Sequence, residues 1–179
     1  MSGHSHWAGI KHKKGATDQK RAQVFSKLLA AISAAAKTEM NPDFNPRLRT
    51  AIEKAREANV PAENIKKAVK RASETDVAFE ELIFEAYGPG SAALLIEATS
   101  DSKNRTVQEI KNILAEAGGK WAESGSVRWA FNPPPHGGTE WKAKFPQEIS
   151  AEDRTKLQEL IAALEEQDDV QRVYSSASE

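Results

Sequence analysis

Between residues 18 and 72 the apolar positions recur three times at spacings of three and four, and proline marks each break. The first series is Phe25, Leu28, Leu29, Ile32, Ala35 and Ala36, starting from Thr17 or Asp18, either of which suits an N-cap. The stretch NPDFNP interrupts it. Pro46 then fits the first turn of a second helix, with Leu48, Ala51, Ile52 and Ala55 inward. Pro61 opens a third, whose core face is Ile65, Ala68, Val69 and Ala72. Each helix has one apolar stripe to bury, and the connections are short, so the segment predicts a small three-helix bundle.

From about residue 76 the period changes. EELIFEAYGPGSAALLIEA is two apolar runs around Gly88-Pro89-Gly90, which predicts a hairpin. A helix follows over 105–117, with Val107, Ile110, Leu114 and Ala117 on one side. SVRWAF alternates as a strand, placing Val127, Trp129 and Phe131 on one face, and WKAKF alternates again. NPPPHGG between them is a connector, stiff and then flexible. Ser150 and Asp153 form an N-cap pair for a helix carrying Leu157, Leu160, Ile161 and Leu164, and VQRVY closes as a strand. Beyond the first strand the order is β-α-β-β-α-β, the ferredoxin-like arrangement. The expected fold class is therefore α+β: an N-terminal three-helix bundle, then a ferredoxin-like antiparallel α/β sandwich with an extra N-terminal hairpin strand. Its divisions are an arm over 1–16, a helical domain over 17–75 and an α+β domain over 76–179, with a Pro/Gly connector at 132–140.

The charge follows the same division. Residues 1–75 carry 15 Lys and Arg against 7 Asp and Glu, a balance of +8, while residues 76–179 carry 10 against 19, a balance of -9. Such asymmetry points to a basic half that faces a polyanion and an acidic half that does not. On the third helix, Lys66, Lys67, Lys70 and Arg71 fall at about 0°, 100°, 40° and 140°, opposite the core residues. We read these as four cations in one arc with no acid among them. Lys20 and Lys27 share a face of the first helix, and Lys11, Lys13, Lys14 and Arg21 extend the field. The arm GHSHWAGIKHKKGATDQKR adds Trp7 and His12 to its lysines. Lysines bind phosphates by releasing counterions, and a tryptophan among them stacks on an unpaired base or anchors under the bundle. The expected nucleic-acid contacts are Trp7, Lys11, His12, Lys13, Lys14, Lys20, Arg21, Lys27, Lys66, Lys67, Lys70 and Arg71.

Other chemistries find little support. The chain has no cysteine, so disulfides and thiolate zinc sites are excluded. His4, His6 and His12 have no carboxylate before Asp18, and no metal or cofactor is expected. Gly88-Pro89-Gly90 lacks the lysine and hydroxyl residue of a phosphate loop. Glu97 with Asp101 suits solvated or capping roles, and Ser100, Ser102 and His136 make no visible triad. No enzyme activity and no small-molecule substrate are expected. Nothing resembles a leader or a run of roughly 18 apolar residues, so a cytoplasmic protein without membrane contact is expected. A monomer is expected.

GHSHWAGIKHKKGATDQKR, NPRLRTAIEKAREANVPAENIKKAVKR, YGPGSAALLIEATSDSKNRTVQEIKNILAEAGGKWAESGSVRWAF and ALEEQDDVQRVYS together resemble the YebC/PmpR family. The resemblance covers residues 3 to about 131 and 145 to 176. It implies a DNA-binding transcriptional regulator, or a ribosome-associated translation factor that binds ribosomal RNA and eases the synthesis of proline-rich stretches. His6 and Gly9 stand where the family usually has lysine and asparagine. The family also inserts a further α/β domain after the strand matching SVRWAF, where this chain has only NPPPHGGTE. The expected function is thus a non-enzymatic, nucleic-acid-binding regulator of gene expression. Its rival is a protein-interaction adaptor working through the acidic domain.

Overall fold

The computed structural model describes residues 18–74, 78–135 and 138–178. The expected arm over 1–16 lies outside them, as do His136 and Gly137 of the connector. The chain divides into two compact units, one running to Glu81 and also taking in Thr99–Ser102, the other built from Leu82–Ala98 and from Lys103 onward.

The first unit contains α1 (Asp18–Ala36), α2 (Pro46–Glu57) and α3 (Ala62–Glu74). Leu28, Ile32, Ala36, Leu48, Ala55, Val60, Ile65 and Ala68 are buried between them. Asn45 closes two helix ends at once: its Oδ1 accepts from the Leu48 N–H at 3.1 Å, and its Nδ2 donates to the Ala35 and Glu39 carbonyls at 2.8 and 2.7 Å. Asn59, at φ 62°, ends α2 in the left-handed conformation. The Val60 N–H then reaches back to the Ala55 carbonyl at 2.9 Å, which satisfies an orphan acceptor and turns the chain into α3. The buried Ser33 hydroxyl donates to the Ala68 carbonyl at 2.9 Å, tying α1 to α3.

The second unit is the expected antiparallel sheet with two helices, but its strands are not all the expected ones. β1 (Glu80–Tyr87) and β2 (Ala93–Ser100) flank a single turn at Pro89–Ser91, where Gly90 takes φ 69°. After α4 (Lys103–Glu116), Gly118 at φ 73° ends the helix and the chain enters β3 (Lys120–Ala122), a strand the pattern did not suggest. α5 (Ala151–Glu166) and β6 (Val170–Ser175) complete the sheet, in the order β3-β1-β2-β6. The expected Ser150 cap is present, its oxygen accepting from the Asp153 N–H at 3.1 Å.

SVRWAF is not a strand of this sheet. Arg128–Ala130 forms a tight helical turn and only Phe131–Asn132 (β4) is extended, pairing with Lys142–Ala143 (β5) as a two-stranded ribbon. Val127 and Phe131 are buried as expected, whereas Trp129 is exposed. The cause is Glu85 on β1, whose carboxylate accepts from the Gly125, Val127 and Arg128 N–H groups at 2.5, 2.7 and 2.9 Å. Donors so engaged cannot enter a ladder, and the Trp129 indole N–H is bonded locally to the Ser126 carbonyl at 2.8 Å.

The ribbon explains why β2 reads as an unbroken apolar run. One sheet face packs Phe84, Leu94, Ile96 and Val173 against Ile110 and Leu114 of α4 and Leu157, Leu160 and Leu164 of α5. The other packs Ala93 and Leu95 against Val127, Ala130, Phe131 and Trp141. A strand covered on both sides has no solvent face to alternate with.

Candidate nucleic-acid interface

The described part of the predicted interface lies on α1 and α3. Lys20 and Arg21 are exposed near the start of α1. Lys27 is not: it is 4% exposed, which removes it from the surface set. It does share a face with Lys20, as a spacing of seven requires, but α1 packs against both α2 and α3. The stripe that is open at Lys20 is therefore closed at Lys27. Trp7, Lys11, His12, Lys13 and Lys14 lie outside the described residues.

On α3, Lys66, Lys67, Lys70 and Arg71 all face solvent, opposite the buried Ile65 and Ala68. The arc is not free of acid, however. Lys66 pairs with Glu63 at 3.6 Å and Lys70 with Glu74 at 3.1 Å, one turn away in each case. Those glutamates fall at about 60° and 80° on the same wheel, inside the cationic arc. Pairs this exposed contribute about 0–1 kcal/mol, so an arriving phosphate displaces them at little cost. Lys67 has no ion pair among the described residues, and the Arg71 guanidinium lies 5.5 Å from the centroid of the Phe79 ring. The face keeps a positive excess, smaller than expected.

The α1–α2 loop presents side chains that the sequence pattern marks only as a helix break. Phe44 is 77% exposed and Met40 is also open to solvent. Their loop is held firmly: the Arg49 guanidinium donates to the Pro42 and Asp43 carbonyls at 3.1 and 3.0 Å, and the Asp43 N–H to Asn41 Oδ1 at 2.9 Å. The proline and asparagine content signals a loop, but only the fold shows that its phenylalanine points outward.

Of the polar side chains singled out in the sequence beyond the helical bundle, Glu97 and Ser100 have structural partners, while His136 lies outside the described residues. Glu97 accepts from the Trp141 indole N–H at 2.9 Å and from the Tyr174 hydroxyl at 3.2 Å, stapling the ribbon to β2 and β6. Burial and the Glu97 carboxylate push the Tyr174 hydroxyl pKa up. Ser100 Oγ accepts from the Ser102 N–H at 2.9 Å. Asp169 holds the start of α4 to β6, taking the buried Thr106 hydroxyl at 2.7 Å and the Arg105 guanidinium at 3.1 Å. Burial raises the Asp169 pKa, but those donors outweigh it and leave the carboxyl below its ordinary range. Among the described residues no group of three or more His, Asp or Glu side chains is placed to hold a metal ion, and no helix is long and apolar enough to cross a membrane.

Residues 5–75 match the TACO1/YebC protein N-terminal domain, and residues 79–134 match the TACO1/YebC second and third domain. The chain belongs to the TACO1/YebC family. Its relatives include a "probable transcriptional regulatory protein" of Chloroherpeton thalassium, 54% identical over 134 residues, an alignment covering 73% of this chain and 54% of the relative. Another of that name from Pseudothermotoga lettingae is 52% identical over 134 residues, covering 73% and 53%. The chain thus spans about half the length of the curated relatives it matches. Among solved structures it is similar to the conserved hypothetical protein Aq1575 from Aquifex aeolicus, with a TM-score of 0.85, 32% identity, and 97% of each chain covered. The TACO1/YebC match breaks between residues 75 and 79, where the basic half gives way to the acidic half.

Proposed function

We propose that this chain is a nucleic-acid-binding regulator of gene expression whose helical unit contacts phosphates. The observation that carries the reading is the exposed face of α3, with Lys66, Lys67, Lys70 and Arg71 turned away from the core, in a half of the chain with a balance of +8. The arm residues Trp7, Lys11, His12, Lys13 and Lys14, together with Lys20 and Arg21, would extend that contact. The name that these relatives carry supports a regulatory role and favours DNA as the target. A separate observation favours backbone contact or structured RNA, such as ribosomal RNA, over sequence-specific reading of a DNA operator. Asn64 is the one short amide on α3 suited to base edges, so the helix offers phosphate contacts and little sequence readout.

Filter binding of duplex DNA and of a ribosomal RNA fragment tests the reading. If about six phosphates are neutralised, affinity falls on the order of a thousandfold from about 50 to about 200 mM salt. A flat salt curve for both ligands would refute it and favour the adaptor role, whose protein contact changes far less with salt.

A further inference from the structure

The ribbon of the α+β unit ends in two aromatic side chains that its core does not use. Phe131 pairs with Ala143 and Asn132 with Lys142, and the Lys144 N–H donates to the Ala130 carbonyl at 2.8 Å. The same register sets Trp129 opposite Phe145. Their ring centroids are 6.1 Å apart, the planes are inclined at 50°, and each residue is 63% exposed. Their neighbours Phe131 and Trp141 are buried, so the chain has room for aromatics in this core and still leaves these two outside. The Trp129 indole N–H is bonded to the Ser126 carbonyl, which fixes the ring by its edge and leaves much of its surface open.

The rim of this pair is cationic. Arg128, Lys142 and Lys144 are all exposed and none forms an ion pair with another described residue, although the Arg128 guanidinium lies 5.1 Å from the centroid of the Trp141 ring. Of the two acids nearest Phe145 in sequence, Glu140 is paired with Arg172 at 3.4 Å and Glu148 is exposed. In a half of the chain whose balance is -9, Arg128 and Lys144 are the chain neighbours of the two open rings, and Lys142 lies on the same ribbon. Rings flanked by such cations suit a ligand with a flat apolar face and a phosphate on either side.

We propose that Trp129 and Phe145 form a stacking platform for an unpaired base of a single-stranded nucleic acid, with Arg128, Lys142 and Lys144 holding the adjoining phosphates. This rests on the nucleic-acid reading above and adds to it a second contact, on the other unit, that distinguishes single strands from duplexes. Stacking is tolerant of sequence because every base has a π-face, so the platform would add affinity without a sequence code.

Anisotropy of end-labelled oligouridine, oligodeoxythymidine and a duplex of equal length, each titrated with the full chain, tests the proposal. Trp129→Ala should weaken binding of the single strands about 5- to 100-fold and leave the duplex unchanged, with the same salt slope and the same melting curve. Phe145→Ala should act in the same direction, and Trp129→Phe should keep most of the affinity. Lys142→Gln combined with Lys144→Gln should lower the salt slope by about two units. Single-strand binding unaltered by Trp129→Ala would overturn the platform and leave the patch to a protein partner. An equal loss on duplex and single strand would also overturn it, since a paired base cannot stack there. If the parent chain binds none of the three ligands, the function proposed above fails with it.

Discussion

Glu85 is the side chain whose loss should most disturb the α+β unit outside its apolar core. It is 4% exposed and its carboxylate takes three backbone N–H groups, from Gly125, Val127 and Arg128. Hydrogen bonds to a charged acceptor contribute about 1.5–3 kcal/mol each, and a buried donor left without a partner costs a comparable amount. Glu85→Gln keeps one acceptor oxygen and turns an NH₂ group toward donors, so at least one bond is lost and one becomes repulsive. The expected destabilisation is about 2–4 kcal/mol, or a fall in Tm of roughly 5–10 °C for a chain of this size. Burial pushes the Glu85 pKa up, but the three N–H donors and the nearby Arg128 outweigh it and hold the carboxyl below its ordinary 4.5. A depressed folded pKa means that the stabilisation is complete above the unfolded value and is lost as pH falls through the folded one. The gap between parent and variant should therefore be full at neutral pH, hold to about pH 5.5, and close below about 4.5. Trp121, Trp129 and Trp141 all lie in this unit, so tryptophan fluorescence during thermal unfolding from pH 7 to the acid limit of the fold reads it directly. No gap at neutral pH, or one that widens in acid, would refute the argument.

Replacing Lys66, Lys67, Lys70 and Arg71 together by glutamine should leave the melting curve intact, because all four face solvent. Filter binding should show weaker nucleic-acid affinity and a salt slope smaller by about one unit for each phosphate the variant no longer neutralises, whereas an unchanged slope would return the face to a purely solvating role. Asn45→Ala removes the cap of α2 and the bonds to the Ala35 and Glu39 carbonyls, and should cost about 2 kcal/mol in urea unfolding followed by circular dichroism. A loss below about 0.5 kcal/mol there would mean that water replaces those bonds, as it does at exposed helix ends.

The helical half was legible because its signals are local. A period of three and four, proline at the breaks and short polar residues at the caps are all written within a turn or two of where they act, and α1, α2 and α3 lie where those signals put them. The α+β half was legible where strands are long, as in β1, β2 and β6, and illegible where they are short. β3 is three residues long, too few for an alternation to show. SVRWAF alternates like a strand, but Glu85, some 40 residues upstream, takes the N–H groups that would have paired it. A pattern within six residues carries no trace of a partner that distant.

The interface divides along the same line. That Lys66, Lys67, Lys70 and Arg71 turn outward follows from the helical period, since the apolar stripe leaves them one direction to point. The acids at positions 63 and 74 were equally available to that wheel, and they change its meaning. Four cations alone would favour a polyanion by relief of their mutual repulsion; two exposed ion pairs already supply part of that relief, so the remaining drive is counterion release. Burial at Lys27 and exposure at Trp129 are a different matter, because both depend on what packs beside them. Lysine and tryptophan have long amphipathic side chains that serve either inside or outside, and periodicity assigns such residues a face without saying whether that face is covered. Charge on a regular helix can thus be placed from sequence, whereas an aromatic beside a loop needs the fold. That is why the α3 face was anticipated and the Trp129–Phe145 pair was not.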